Sequence, residues 1–391
     1  MDSMTLDAGS QPSIVAPKPV VHVWPLLDFL RSIAAFAVLL GHGRNWFFAG
    51  ISETPNPSAL LKVFYFVTVL HVDAVVVFFV ISGFLIGASA WVDIKTNVFS
   101  WKRYLSARFS RIFVVYWPAL IFSMIICFIG RAAFSDPLSS QGAMRPLFEA
   151  TDTPVSTAAG LCHVAGLPGF ACKAIMDNPA LWSLGYEWTL YLAAPVIFAI
   201  ILRSPSNAFR WFSSLLFLLT VVAIAVNKIE AVLWISVWFL GVFAGRLAVA
   251  RNLHPATAAI ALILILFGLV SAHLFKVDEY VSLPPLALGT AILVSCRKIS
   301  TWSIAPRFFK WTASWSFSLY ATHLPIIYVL IAAFQASGGP FNKPPAGLLA
   351  ASQLAAAVAI CVGFAIVFAL VTERQTTKVR RWIERVQPLR K

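Results

Sequence analysis

The sequence predicts an all-α protein, a polytopic transmembrane helix bundle of about ten spans. Three observations carry that prediction. The first is composition. Of the 391 residues, 59% are hydrophobic and 12% charged, against about 45–50% and about 25% in ordinary soluble domains. The second is the recurrence of long apolar runs along the chain. The third is the placement of the basic residues, which gather between those runs rather than in one patch. That placement is a topology signal, so the net charge of +14 does not point to nucleic acid.

The expected spans are 25–48, 72–90, 112–130, 181–201, 211–227, 231–249, 255–273, 282–296, 312–335 and 348–372. The eighth opens near Pro284 and Pro285 and is the least regular. Residues 1–23 are polar and lack the basic start and small-residue cleavage site of a signal peptide. They are expected to form a disordered cytoplasmic tail. With the N-terminus inside, 21 Lys and Arg fall on the cytoplasmic side and eight outside, leaving Arg31 within a span. The bias follows the positive-inside rule, and an odd number of spans would misplace half of the loops. Both termini are therefore expected in the cytoplasm, the second as a basic tail over 374–391.

Two outer segments are more than turns. Residues 49–71 hold a short apolar stretch, Leu60 to Leu70, too short to span and suited to the interface. Residues 131–180 form the one long loop, a length associated with function or disorder. Cys162 and Cys172 lie in it. Cysteines outside the cytoplasm can form a disulfide, and spacing alone leaves this pairing open. Cys127, Cys296 and Cys361 lie in or near spans and read as apolar filler. The sequence offers no metal-ligand spacing of Cys and His, no glycine-rich phosphate loop and no strong internal repeat.

Arg31 and His42 carry the first functional signal. Eleven residues along a helix advance about 20° past three full turns, so both face one side, about 16 Å apart along the axis. Asp28, one turn earlier, shares that face approximately. Ionisable groups at membrane depth are costly and mark functional sites. The plainer reading makes Arg31 a snorkelling side chain and His42 a hydrogen-bonded core residue. His42, expected near the outer end, can take a proton directly from a substrate hydroxyl.

Other polar residues punctuate later spans. Ser82-Gly83 allows close helix contact. Arg108 and Arg111 are i,i+3 neighbours, and two guanidinium forks at that spacing suit a phosphate-bearing ligand. Topology alone explains Lys102 and Arg103 but does not require arginine at 108 and 111. The fourth span opens Trp182-Ser183-Leu184-Gly185-Tyr186-Glu187, and Ser183, Glu187 and Tyr191 share a face. Glu187 is expected at a depth similar to His42, where it would orient or stabilise the imidazole. An interfacial glutamate facing water is the alternative. Tyr320 and His323 in the ninth span complete a set of polar positions that suggests a cavity inside the bundle.

In this order, the residues resemble the acyltransferase-3 family of integral membrane acyltransferases. That family places a basic residue, ten residues and then His in its first helix, matched by Arg31 and His42. Leu-Asp-x-x-Arg matches Leu27 to Arg31, and Phe-Phe-Val-x-Ser-Gly-Phe matches Phe78 to Phe84. Arg-x-x-Arg matches Arg108 and Arg111, and Trp-Ser-Leu-x-x-Glu matches Trp182 to Glu187. Ser316 to Pro325 is a slightly shifted match to the last motif, with Ser318-Leu319-Tyr320 intact. The resemblance covers about residues 24–372, and the ordered set is far more specific than any one motif. Two positions depart from the pattern: Val114 replaces a common proline, and Trp188 replaces a second glutamate. The second departure weakens any mechanism that needs two carboxylates there. The chain resembles the bundle-only form of the family, with the domain at 24–373.

The resemblance implies transfer of an acyl group, usually acetyl, from acyl-coenzyme A to a glycan or lipid-linked saccharide hydroxyl at a bacterial cytoplasmic membrane. It requires no resident cofactor or metal. His42 and Glu187 are then the expected catalytic pair, with His42 as base. Asp28, Arg31, Ser82, Arg108, Arg111, Trp182, Ser183, Tyr320 and His323 are the expected donor- or substrate-binding set. An acyl-histidine intermediate fits the sequence equally well. Two rivals are a secondary transporter, which also places charges near the midplane, and a non-catalytic membrane scaffold. The transporter predicts repeats that the sequence does not show, and the scaffold leaves His42 and Glu187 without a role.

Overall fold

The computed structural model describes residues 25–134, 156–174, 178–202, 211, 229–250, 254, 256–296, 305–337 and 346–386. The expected N-terminal tail, most of the fifth span (211–227) and the last five residues lie outside this set. Apart from one isolated bridge between Pro168 and Cys172, the regular structure among the described residues is helical. Seven helical stretches are long and apolar enough to cross a membrane, and three shorter apolar helices accompany them. Two of those, Thr257–His273 and Glu279–Ser295, fall on the expected seventh and eighth spans. The third, Ala59–Thr68, covers the stretch expected at the interface. The protein is a multi-pass membrane protein. Its large exposed apolar side chains, such as Met124, Phe128, Leu266, Phe267 and Val367, suit lipid.

Helix α1 (Pro25–Phe47) opens on a proline, where a missing N–H costs nothing, and carries Asp28 in its first turn. α2 (Ala59–Thr68) follows. α3 (His71–Ser82) passes through a π-helical turn, Gly83–Gly87, into α4 (Ala88–Lys95). α5 (Trp101–Ala133) is capped by Ser100, whose hydroxyl accepts from Arg103 N–H at 3.4 Å. It begins eleven residues before the expected third span, so Arg108 and Arg111 stand on a rigid helix rather than in a loop.

α6 (Thr157–Val164) lies in the long loop. α7 (Trp182–Leu202) follows a 3-10 turn, Pro179–Leu181. α8 (Ile229–Ala250), α9 (Thr257–His273) and α10 (Glu279–Ser295) form the next group. α11 (Pro306–Ala313) is short and leads into α12 (Ser316–Ala336). α13 (Leu348–Val371) ends in a 3-10 turn, Glu373–Gln375. α14 (Thr376–Val386) then lies against α5, with Ser106 donating to Glu384 at 3.0 Å. Part of the expected basic tail is therefore an ordered helix.

α1 sits among α3, α11, α12 and α13. Aromatic pairs align it with the α11–α12 segment in one direction: Phe29 with Phe309, Phe36 with Trp315, and Trp46 with Tyr328. Ser32 and Thr312 add a hydroxyl pair at 2.7 Å. On the other side of α3, α8 approaches to backbone contact. A Cβ built on Gly83 would stand 2.0 Å from the Trp238 carbonyl oxygen, and one on Gly241 2.2 Å from that of Val80. This reciprocal contact is the close approach that the Ser82-Gly83 pair allows. Cys162 and Cys172 are disulfide-bonded, with Cα atoms 6.4 Å apart. Cys127, Cys296 and Cys361 are buried and take no part in a disulfide.

Replacing Gly241 by valine should separate α3 from α8, because the obstructing atom is backbone and cannot rotate away. The expected loss is about 1–3 kcal/mol, as for overpacked cores. Thermal unfolding in detergent should show a lower midpoint; an unchanged midpoint would contradict this packing.

Candidate active site

One cavity of about 350 Å³ lies inside the bundle. α1 contributes Arg31; α5 contributes Arg108, Arg111 and Ile112. α7 contributes Ser183, Leu184, Glu187 and Tyr191, and α12 contributes Ser316, Phe317 and Tyr320. α3 and the π turn close it with Val75, Phe78, Phe79, Ser82 and Leu85 among others. Three arginines thus converge from two helices that are far apart in sequence.

The two arginines of α5 are held differently. Arg111 donates from Nη1 to Glu373 Oε1 at 3.1 Å. Glu373 is buried at 7% exposure, and its other oxygen accepts from Ser318 N–H at 3.1 Å and Ser318 Oγ–H at 3.2 Å. Arg111 also lies over the Phe317 ring. Arg108 lies over Tyr104, and its Nε is buried with no hydrogen-bond partner. Arg31 is within electrostatic reach of Arg111, Glu373, Asp28 and Glu187. Arg111 is therefore tied to protein, while the Nε–H of Arg108 has no hydrogen-bond partner.

A polar chain runs along the α3–α7 side. Trp238 Nε1–H donates to Ser82 Oγ at 3.1 Å, and Ser82 Oγ lies 3.0 Å from Tyr191 OH. Tyr191 OH in turn donates to Glu187 Oε1. On the α12 side, Ser183 Oγ donates to Tyr320 OH at 2.7 Å, and Tyr320 OH donates to the Ala180 carbonyl at 2.7 Å. Ser82 and Tyr191 are thus part of a hydrogen-bonded wall, beyond the helix packing that their spacing explains.

His42 stands outside this cavity. Its ring lies 4.9 Å from that of His71 and 5.2 Å from that of His323, centre to centre. Gly41 makes room for His71, since a Cβ there would meet His71 Cβ at 2.8 Å. The cavity ends close by. Val75 is one turn from His71 on α3, and Tyr320 is three residues before His323 on α12. Arg31 and His42 both face α3 and α12, as their spacing requires.

Glu187 is not His42's neighbour, which corrects the expected depth of the carboxylate. That expectation equated the start of the fourth helix with the membrane boundary. The segment before α7 instead sinks into the bundle. Asn178 is fully buried and donates to Ser123 Oγ at 2.9 Å and to the Ala321 carbonyl at 2.8 Å. With Tyr320 bonded to Ala180, α7 begins level with Tyr320 and Ala321, and Glu187 reaches the arginine cavity. A Cβ on Gly185 would lie 2.0 Å from the Pro168 carbonyl oxygen, so the disulfide-bearing loop packs directly on α7.

Arg31, Ser82, Arg108, Arg111, Ser183, Glu187 and Tyr320 are brought to one cavity. Asp28, Trp182, His42 and His323 do not line it. Asp28 lies a turn below Arg31, and Trp182 packs on Trp234 and Tyr186. Sequence reasoning missed Glu373, His71 and Asn178. It also missed the pair between His273 Nε2 and Asp73 Oδ2 at 2.8 Å. Glu373 stands alone just past an apolar run, and His71 opens one; both are weak signals without their partners.

A family model described as an acyltransferase domain matches residues 24–372. An uncharacterized protein of Haemophilus influenzae is 32% identical over 124 residues, 31% of this chain and 46% of that protein. The chain thus matches about half the length of that relative. No solved structure matches. With a family match over nearly all of the helical bundle, the chain belongs to the acyltransferase-3 family.

Proposed function

We propose that this protein transfers an acyl group from acyl-coenzyme A to a hydroxyl of a cell-surface or membrane-linked glycan, in a bacterial cytoplasmic membrane. The observation that carries the reading is the arginine-lined cavity at one end of α1, with His42 just beyond its far wall. The Arg31 end faces the cytoplasm, where acyl-coenzyme A is found, and both termini lie there too. The cavity suits an acyl-pantetheine arm rather than a whole nucleotide. Arg108, on the cavity wall, offers its guanidinium to a donor phosphate, and Arg31 lies along the arm's path. Glu187, with Tyr191 and Ser82, belongs to this donor chamber and not to the histidine.

His42 accepts the proton of the sugar hydroxyl as its oxygen attacks the thioester carbonyl. The carbon–sulfur bond breaks, and His42 returns that proton to the departing thiolate. The products are an ester and a free thiol. To reach His42, the arm passes the edge-to-face pair of Phe78 and Tyr320.

Two predictions test this reading with purified protein in lipid and a labelled donor. His42→Ala should lower acyl transfer about 10²–10⁴-fold while the protein stays folded and inserted; full transfer would end the mechanism. Arg108→Ala should raise the donor KM roughly 10- to 100-fold, the equivalent of a lost charged hydrogen bond. Lysine should rescue it poorly, because a point charge lacks the planar fork. Donor affinity unchanged in Arg108→Ala, Arg111→Ala and Glu373→Gln would reduce these arginines to topology signals.

A further inference from the structure

His42 needs a partner that fixes its ring, and Glu187 is out of reach. We propose that His323 is that positioning residue, accepting the N–H of His42 so that the other ring nitrogen faces the acceptor hydroxyl. The inference rests on the reading of His42 as base.

Backbone contacts fix the His323 tautomer. Its Nδ1 lies 2.8 Å from the Tyr320 carbonyl oxygen and 3.1 Å from that of Leu319. A carbonyl oxygen only accepts, so Nδ1 carries the proton. In the neutral ring, Nε2 is then an acceptor. That nitrogen is buried and has no hydrogen-bond partner, in a residue only 1% exposed. Buried acceptors without partners are rare in folded proteins, and those that persist call for a functional explanation.

His42 presents a neighbouring ring with an N–H to give. The ring centres are 5.2 Å apart and no hydrogen bond joins the two rings in this structure. An N–H···N bond, with nitrogens about 2.9 Å apart and each about 1 Å from its ring centre, spans about that distance, so a small rotation of the His42 ring closes it. The 34° angle between the rings is compatible with a bond in the plane of each. A neutral His42 has one N–H and one lone pair. Giving the N–H to His323 leaves the lone pair for the substrate, the orientation a general base requires. When His42 takes up the hydroxyl proton, the same bond becomes charge-assisted and stronger.

His71 is the other ring beside His42. Its Nδ1 donates to the Val69 carbonyl at 2.9 Å, but its Nε2 is not a buried orphan. His323 is also the better anchored of the two. It stands inside α12, and the His323 carbonyl accepts from Cys361 Sγ–H of α13 at 3.7 Å.

The test compares His323→Leu, His323→Gln and His42→Ala in lipid, with steady-state transfer from a labelled acyl-coenzyme A. His323→Leu should lower kcat roughly 10²-fold, as expected for a misplaced catalytic group, with the donor KM unchanged. His323→Gln, whose amide oxygen can accept the same N–H, should recover most of that loss. Wild-type kcat in His323→Leu, beside an inactive His42→Ala, overturns the inference and leaves His42 as base. A kcat equally low in both His323 variants, with the wild-type melting temperature, overturns it as well, since an acceptor would not then be what matters. Full activity in His42→Ala removes the reading beneath both.

Discussion

Three arginines inside an apolar bundle impose the constraint on which the rest of the site depends. A cation at membrane depth is costly unless it is paired or reaches a polar cavity. Arg31, Arg108 and Arg111 all reach one cavity, and Arg111 is also paired. Glu373 pairs with Arg111 and is itself satisfied by Ser318, so one ion pair joins α5, α12 and the end of α13. Removing one member would strand the other, which costs more than the pair contributes. The last span is therefore not a spectator, because its terminal carboxylate fixes the shape of the arginine wall.

The chamber and the histidines are separated by little more than one helical turn. Val75 and Tyr320 line the first, and His71 and His323 follow on the same two helices. α1 joins the two regions with Arg31 below and His42 above. The distance along α1, about 16 Å, suits an extended acyl arm that is anchored at its charged end and reactive at the other. Close contact at Gly83 and Gly241 holds α3 against α8, and this keeps Ser82 within reach of Trp238 and Tyr191.

Much of this was legible in the sequence because it is periodic. The Arg31–His42 spacing places both on one face whatever packs against it, and the Arg108–Arg111 spacing does the same. Ser82-Gly83 announces a close helix contact. The depth of Glu187 was not legible, because an apolar run marks where a helix begins but not how deep that beginning lies. Only the burial of Asn178 and its bond to the Ala321 carbonyl reveal that α7 starts inside the bundle. Glu373 was hidden for a related reason. A lone acid after the final span reads as part of a charged tail until Arg111, 262 residues away, is seen beside it.

The central claim is that the arginine cavity holds the donor and that its arm points past Phe78 and Tyr320 toward His42. Photolabelling tests it most directly, with an acyl-coenzyme A bearing a diazirine on its acyl chain, followed by peptide mapping. Adducts on α3 and α12, at or near Phe78, Tyr320 and His323, are the predicted result. Adducts absent from both helices, on protein that still binds the probe with donor-like affinity, would contradict it.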